Sequence, residues 1–179
     1  MSLSSGTHQL GPDDAALSVR TGRTGAAAKA GHDLVIGVDS WEATLVIGDD
    51  AAGTSVELTA DPSSLRVIEG SGGMKALDDD DKANIEKTIN DEVLEGRGIG
   101  FRSSRVQPAA DGTRIGVEGE LTIGTESGPI AFELAIGDDG ALTGSAVVRQ
   151  TDWGIKPYST LFGALKVEDE VEVVIEGHL

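Results

Sequence analysis

The residues best able to do chemistry in this chain are His32 and Asp33, held between Gly31 and the apolar run that starts at Leu34. An imidazole can donate at one ring nitrogen and accept at the other. His32 can therefore orient a polar headgroup, or it can cap a turn carbonyl; both readings stand at this level. A Ser-His-Asp relay is a poor reading, because adjacent side chains on a strand point to opposite faces. Arg102, Arg105 and Arg149 stand out among only 14 basic residues against 31 acidic ones. A guanidinium can fork onto a phosphate or carboxylate headgroup, or simply pair with a neighbouring carboxylate. For Arg149 that neighbour is Asp152 or a carboxylate of the helix described below. Tyr158 and Lys156 fall where they could decorate the same rim. His8 is expected in a flexible N-terminal segment spanning residues 1–14, and His178 in the last strand.

Other chemistries are excluded or unsupported. Cysteine is absent, so disulfides, thiolate nucleophiles and cysteine-bound metals are out. Zinc needs three or four converging ligands, and no H-E-x-x-H or H-x-H pattern occurs. The acidic turns Asp49-Asp50 and Asp138-Asp139 do not have EF-hand spacing. There is no G-x-S-x-G elbow, and the glycine loop Gly70-Ser71-Gly72-Gly73 lacks the lysine and hydroxyl of a phosphate-binding loop. The expectation is no catalysis, no metal and no cofactor other than a bound isoprenoid or other lipid. The formal charge of −17 repels nucleic acid and anionic membranes, and 3% aromatic residues leave little for base stacking. No apolar run is long enough for a spanning helix, so stable membrane insertion is not expected. The opening MSLSSGTHQLG has neither a basic region nor an apolar core, which sets a cytoplasmic expectation.

The elements that must position these residues are mostly strands. Apolar and polar residues alternate over Ala15–Thr21, and along a long ribbon over residues 32–47 carrying Leu34, Ile36 and Val38, then Trp41, Ala43, Leu45 and Ile47. Asp39-Ser40 interrupts that ribbon. Further rows carry Val56 and Leu58; Ile99, Phe101 and Ser103; Val117 and Leu121 on either side of Gly119; Phe132 and Leu134; Ala146 and Val148 after Gly144; and Val171 and Val173. One segment, residues 77–94, changes period. Four aspartates at 78–81 suit a helix start, and Ile85, Ile89 and Val93 make one apolar face. Residues 158–165 read as a loop with one helical turn. About nine or ten one-sided strands cannot be covered by one helix, so the sheet must fold on itself. Interior Gly119 and Gly144 permit tight bending. The expected fold is all-β with one main helix: an antiparallel barrel of about eight or more strands over residues 15–179, the helix capping or flanking it.

Four stretches together resemble the YceI-like family. They are Gly31-His32-Asp33-Leu34 leading into a strand with Trp41; Ile99-Gly100-Phe101-Arg102-Ser103-Ser104; Val117-Glu118-Gly119-Glu120-Leu121-Thr122-Ile123-Gly124 followed by Gly128-Pro129-Ile130; and Arg149-Gln150-Thr151-Asp152-Trp153-Gly154-Ile155. The closing strand after Leu165-Lys166-Val167 matches as well. The resemblance spans nearly the whole chain. It implies a lipocalin-like barrel whose apolar interior takes a polyisoprenoid or similar lipid tail. Many members are secreted or periplasmic, so a cytoplasmic chain would be an intracellular branch.

The inner row expected to meet such a ligand is Leu34, Ile36, Val38, Val56, Leu58, Ile99, Phe101, Val117, Leu121, Phe132, Leu134, Val148 and Val173, with Trp153 as an apolar plug. His32, Arg102, Arg149 and Tyr158 are the candidates for the rim. The expected activity is non-catalytic carriage of an isoprenoid, quinone-like or fatty amphiphile by a monomer or homodimer. The same inner row would also serve a packed barrel without a ligand, as in a structural or stress-associated interaction protein.

Overall fold

The structure is a computed structural model that describes residues 5–179. Its strands are β1 (Gly6–Leu10), β2 (Ala15–Thr21), β3 (Arg23–Thr24), β4 (His32–Val38), β5 (Trp41–Ile47), β6 (Ser55–Ala60), β7 (Leu65–Gly72), β8 (Ile99–Pro108), β9 (Arg114–Ile123), β10 (Glu126–Ile136), β11 (Ala141–Arg149), β12 (Ser159–Thr160), β13 (Leu165–Val167) and β14 (Glu170–His178). Eleven form one antiparallel sheet in the order β1-β5-β6-β8-β9-β10-β11-β14-β2-β4-β7, and β12-β13-β3 form a small second sheet.

The period-two pattern predicts which face is dry. Along β5, Trp41, Ala43, Leu45 and Ile47 are buried, while Glu42 is exposed. In β9 the buried set is Ile115, Val117, Gly119, Leu121 and Ile123. Where the period breaks, a bulge takes up the extra residue. Ser103 pairs with Gly119 and Arg105 with Glu118, so Ser104 is the extra residue, and Val106 rather than Arg105 returns to the core at 3% exposure.

The ribbon over residues 32–47 forms as two strands, and its bend closes the barrel. β5 lies next to one end of the sheet order and β4 next to the other, yet only Asp39 and Ser40 separate them. The sheet must therefore roll until its two ends meet along this one ribbon. The corner is stitched by backbone bonds from Asp39 N to Ser64 O and Asp61 N to Ser40 O, and by Ser40 N to Ser64 Oγ. The flanking chains bend in step, β1 into β2 and β6 into β7. Closure spares long strands of this kind from exposing two full edges.

The first strand corrects one expectation. Residues 6–10, assigned above to a flexible segment, pair in register with β5, and His8 stands opposite Leu45. Leu10 is buried in the core. The polar stretch hides a single apolar anchor, too little for a periodicity signal.

Gly119 shows how the interior is shaped. A Cβ there would fall 2.5 Å from the Phe101 ring and 2.4 Å from the Arg102 carbonyl. The missing side chain lets the Phe101 ring settle against Phe132, with centroids 5.3 Å apart, a favourable tilted geometry.

The helix forms as α1 (Asp79–Thr88), continued by a π-type turn over Ile89–Val93. Asp78 accepts from Asp81 N at 2.8 Å, and Asp81 accepts in return from Asp78 N at 3.3 Å. This reciprocal capping box satisfies two orphan donors of the first turn. Glu86 Oε1 accepts from Val67 N at 2.9 Å, so the helix also covers part of the β7 edge.

Candidate functional site

The barrel encloses a cavity of about 670 Å³, within the range of small-molecule sites. One end is sealed by Ile47, Val106, Ile115, Val117 and Ile136, all buried. The other end is crossed by α1. Its Ile85, Ile89 and Val93 face the cavity, joined by Leu77 and by the polar side chains of Asp81, Asn84 and Thr88. The helix is therefore a lid with an apolar underside. Leu77 rests on the open backbone of Gly70, where a Cβ would lie 2.4 Å from its Cδ1.

The expected inner row lines this cavity with two exceptions. Val117 is 1% exposed but sits in the sealed end, packed rather than lining. Trp153 is buried in the core without lining the cavity, with Nε1 donating to Leu121 O at 2.7 Å and its ring over Gly128. The single-face pattern identifies inward positions; it carries no information on depth along the barrel axis.

Of the four rim candidates, His32 and Tyr158 lie at the cavity mouth. The two arginines do not. Arg102 Nε is 3.1 Å from Glu57, and Arg149 donates to Glu170 at 2.9 Å, both pairs on the solvent side of the sheet. With Phe101 and Val148 inward, their sequence neighbours must face out. The partner expected for Arg149 is Asp152 or a helix carboxylate; the ion pair is made instead with Glu170, which faces Arg149 in register, while Asp152 adds only charge attraction. Thr151 instead anchors the following turn, donating from its backbone N at 2.9 Å and its hydroxyl at 2.6 Å to Asp169.

His32 Nε2 is 2.7 Å from the Lys75 carbonyl. The imidazole thus ties the loop before α1 to the start of β4, while still touching the cavity. Gly73, at φ +73°, passes so close that any side chain there would strike the ring. Lys75 in turn pairs with Asp81 at 2.9 Å. Hydrogen bonding from that ammonium, then from the Asp78 backbone, holds the Asp81 carboxyl below the usual range.

The mouth also carries residues that the sequence reading did not single out. Arg23 donates to the Gly31 carbonyl and, at 3.4 Å, to Ser71 O, with Nε 3.6 Å from Asp33. Lys166 and Asn84 line the same end. Extending the Ile85-Ile89 stripe one turn back reaches Asp81, the start of the lid's polar rim. Arg23 and Lys166 come together only through the pairing of β3 with β13. Among the described residues no group of three or more His, Asp or Glu is placed to hold a metal, and no helix is long and apolar enough to cross a membrane.

Residues 17–179 match the family described as YceI-like domain. Among solved structures, BcnA of Burkholderia cenocepacia is similar at 15% identity and a TM-score of 0.62, covering 90% of this chain and 94% of that one. A YCEI protein of Campylobacter jejuni is similar at 15% identity and a TM-score of 0.53, covering 80% of this chain and 82% of that one. At these identities the likeness is one of fold. No curated protein matches the chain.

Proposed function

The chain belongs to the YceI-like domain family, and on that premise we propose that its barrel is a non-catalytic carrier of one apolar amphiphile. The ligand class is a molecule with a long hydrocarbon tail: an isoprenoid, a quinone-like compound or a fatty lipid. The observation that carries the reading is the cavity of about 670 Å³ walled by aliphatic and aromatic side chains. A barrel serving only as a scaffold would gain stability by filling that space, since unfilled volume forfeits dispersion contacts.

The tail enters under α1 and lies along Phe101, Phe132 and Leu134, where burial contributes about 25 cal/mol per Å² of apolar area. The polar end stays at the mouth beside Arg23, His32, Asn84 and Lys166. Arg23 and His32 already hold backbone carbonyls, so they shape the opening, leaving Asn84 and Lys166 as the groups free to meet a headgroup.

The test is native mass spectrometry with lipid extraction on protein purified without detergent, followed by titration with a polyisoprenoid alcohol and a fatty acid. A one-to-one adduct of defined mass is the expected result. Repeatedly bare spectra, with no uptake of either lipid, would remove the carrier reading.

A further inference from the structure

Residues 158–165 stand at the rim of the cavity and carry Phe162, the most exposed large apolar side chain among the described residues. Tyr158, Thr160, Leu165 and Lys166 face the opening. Between them the tip is Leu161-Phe162-Gly163. Leu161 is 54% exposed and the Phe162 ring is fully in solvent. Both residues lie in the left-handed region, at φ 52° and 56°, followed by Gly163 at φ 83°. Two successive non-glycine residues rarely adopt that conformation. The feet of the loop are fixed by bonds from Ala27 N to Ala164 O at 2.8 Å and from Val167 N to Tyr158 O at 2.9 Å. The display is therefore built into the backbone.

Charge is locally reversed at the same place. Residues 153–167 hold Lys156 and Lys166 and no carboxylate, in a chain whose formal charge is −17. Among the described residues neither lysine has an ion-pair partner. The Lys166 ammonium lies 3.9 Å from the position a Gly163 Cβ would take, directly beside the apolar tip. Of the acids around the mouth, Asp78 and Asp81 are engaged by Lys75 and Asp33 by Arg23. Asp79 and Asp80 remain on the outer start of α1, and Glu168 packs against Gly22.

We infer that the Leu161-Phe162 tip, flanked by Lys156 and Lys166, docks the cavity mouth onto a phospholipid bilayer surface. This rests on the carrier reading: a long hydrocarbon tail cannot cross water unaided, so the opening must meet the membrane that supplies or receives it. Leu161 and Phe162 enter the headgroup layer while the two ammonium groups meet lipid phosphates, as interfacial anchors do. The remaining acidic surface is repelled by anionic headgroups, which orients the mouth inward and keeps the contact reversible.

The test is flotation with vesicles of phosphatidylcholine and phosphatidylglycerol, comparing the wild type with a Leu161→Ser, Phe162→Ser double variant. The expected result is vesicle association by the wild type, weakened roughly tenfold in the variant. Lys156→Glu alone should also weaken association, more so as the phosphatidylglycerol fraction rises. Uptake of cis-parinaric acid in solution, read by its fluorescence, should be equal in wild type and double variant. That shows the fold and lumen are intact. If the wild type fails to float, or floats no better than the double variant, the docking proposal is overturned. Recovery of the wild type on a protein partner through this tip, without vesicle association, overturns it in favour of a protein surface. Association lost in the double variant but with no uptake of cis-parinaric acid by either form leaves docking standing and counts against the carrier reading alone.

Discussion

His32 Nε2 meets the Lys75 carbonyl at 2.7 Å, joining the first residue of β4 to the loop that leads into the lid helix. Of the two roles the sequence leaves open for this histidine, the structural one is realised, and it is realised at the cavity mouth. The imidazole works as a latch on the lid approach. Replacing it by alanine removes one partly exposed hydrogen bond, a cost of about 0.5–1.5 kcal/mol in stability. The larger effect falls on dynamics: His32→Ala should speed release of a bound lipid probe and raise amide exchange over residues 73–78. Unchanged exchange in that loop would show that the bond does not restrain it.

Filling the lumen should separate binding from folding. Ala146 and Ala43 line the cavity and have unfilled space ahead of them. Ala146→Phe is expected to abolish uptake of cis-parinaric acid while leaving the unfolding midpoint in urea within about 1 kcal/mol of wild type, since overpacking penalties arise where space is already filled. Full uptake by this variant would place the probe elsewhere.

Trp153 is expected to matter for stability and not for the ligand. Its indole N–H donates to the Leu121 carbonyl at 2.7 Å, and its ring does not line the cavity. Trp153→Phe removes that hydrogen bond, which costs about 0.5–1.5 kcal/mol. Urea denaturation should show the loss, and probe affinity should not move.

Arg102→Gln and Arg149→Gln should leave lipid uptake unchanged. Their guanidinium groups pair with Glu57 and Glu170 on the solvent face, and surface pairs of this kind contribute little. A marked drop in affinity for either variant would contradict the placement of these side chains outside the mouth.

Acid should loosen the lid before the barrel. The Lys75 ammonium and the Asp78 backbone hold the Asp81 carboxyl below its usual range, so the folded value is depressed. A depressed folded value contributes stability that is present above the unfolded aspartate value of about 3.9 and is lost as pH falls through the folded one. Protonation there dissolves both the ion pair with Lys75 and half of the capping box. Amide exchange over residues 78–82 should rise as pH is lowered below about 4, relative to the intrinsic rates, and Asp81→Asn should show the loosened state at neutral pH.

The inward rows, the helix and its apolar stripe were legible in the sequence because they are local. Period-two alternation assigns a face to every residue of a strand, and the aspartates at 78–81 announce a helix start without reference to anything distant. The same rule already implied that Arg102 and Arg149, each next to an inward residue, face outward; their charge in an acidic chain drew attention the periodicity did not support. β1 was missed because Leu10 is a lone anchor whose partner, β5, lies more than thirty residues away in the sequence.

Sequence alone determined the binary pattern: which side chains turn from water, where the chain turns, and the family-like segments. What only the tertiary structure decided is where along the barrel axis each inward residue falls, and therefore that Val117 seals while Leu121 lines. It also decided that residues as separate as Arg23, His32, Asn84 and Lys166 share one opening. Alternation is a property of single strands, whereas depth and encounter depend on stagger between strands and on the corner at Asp39-Ser40, which exist only once the sheet has closed.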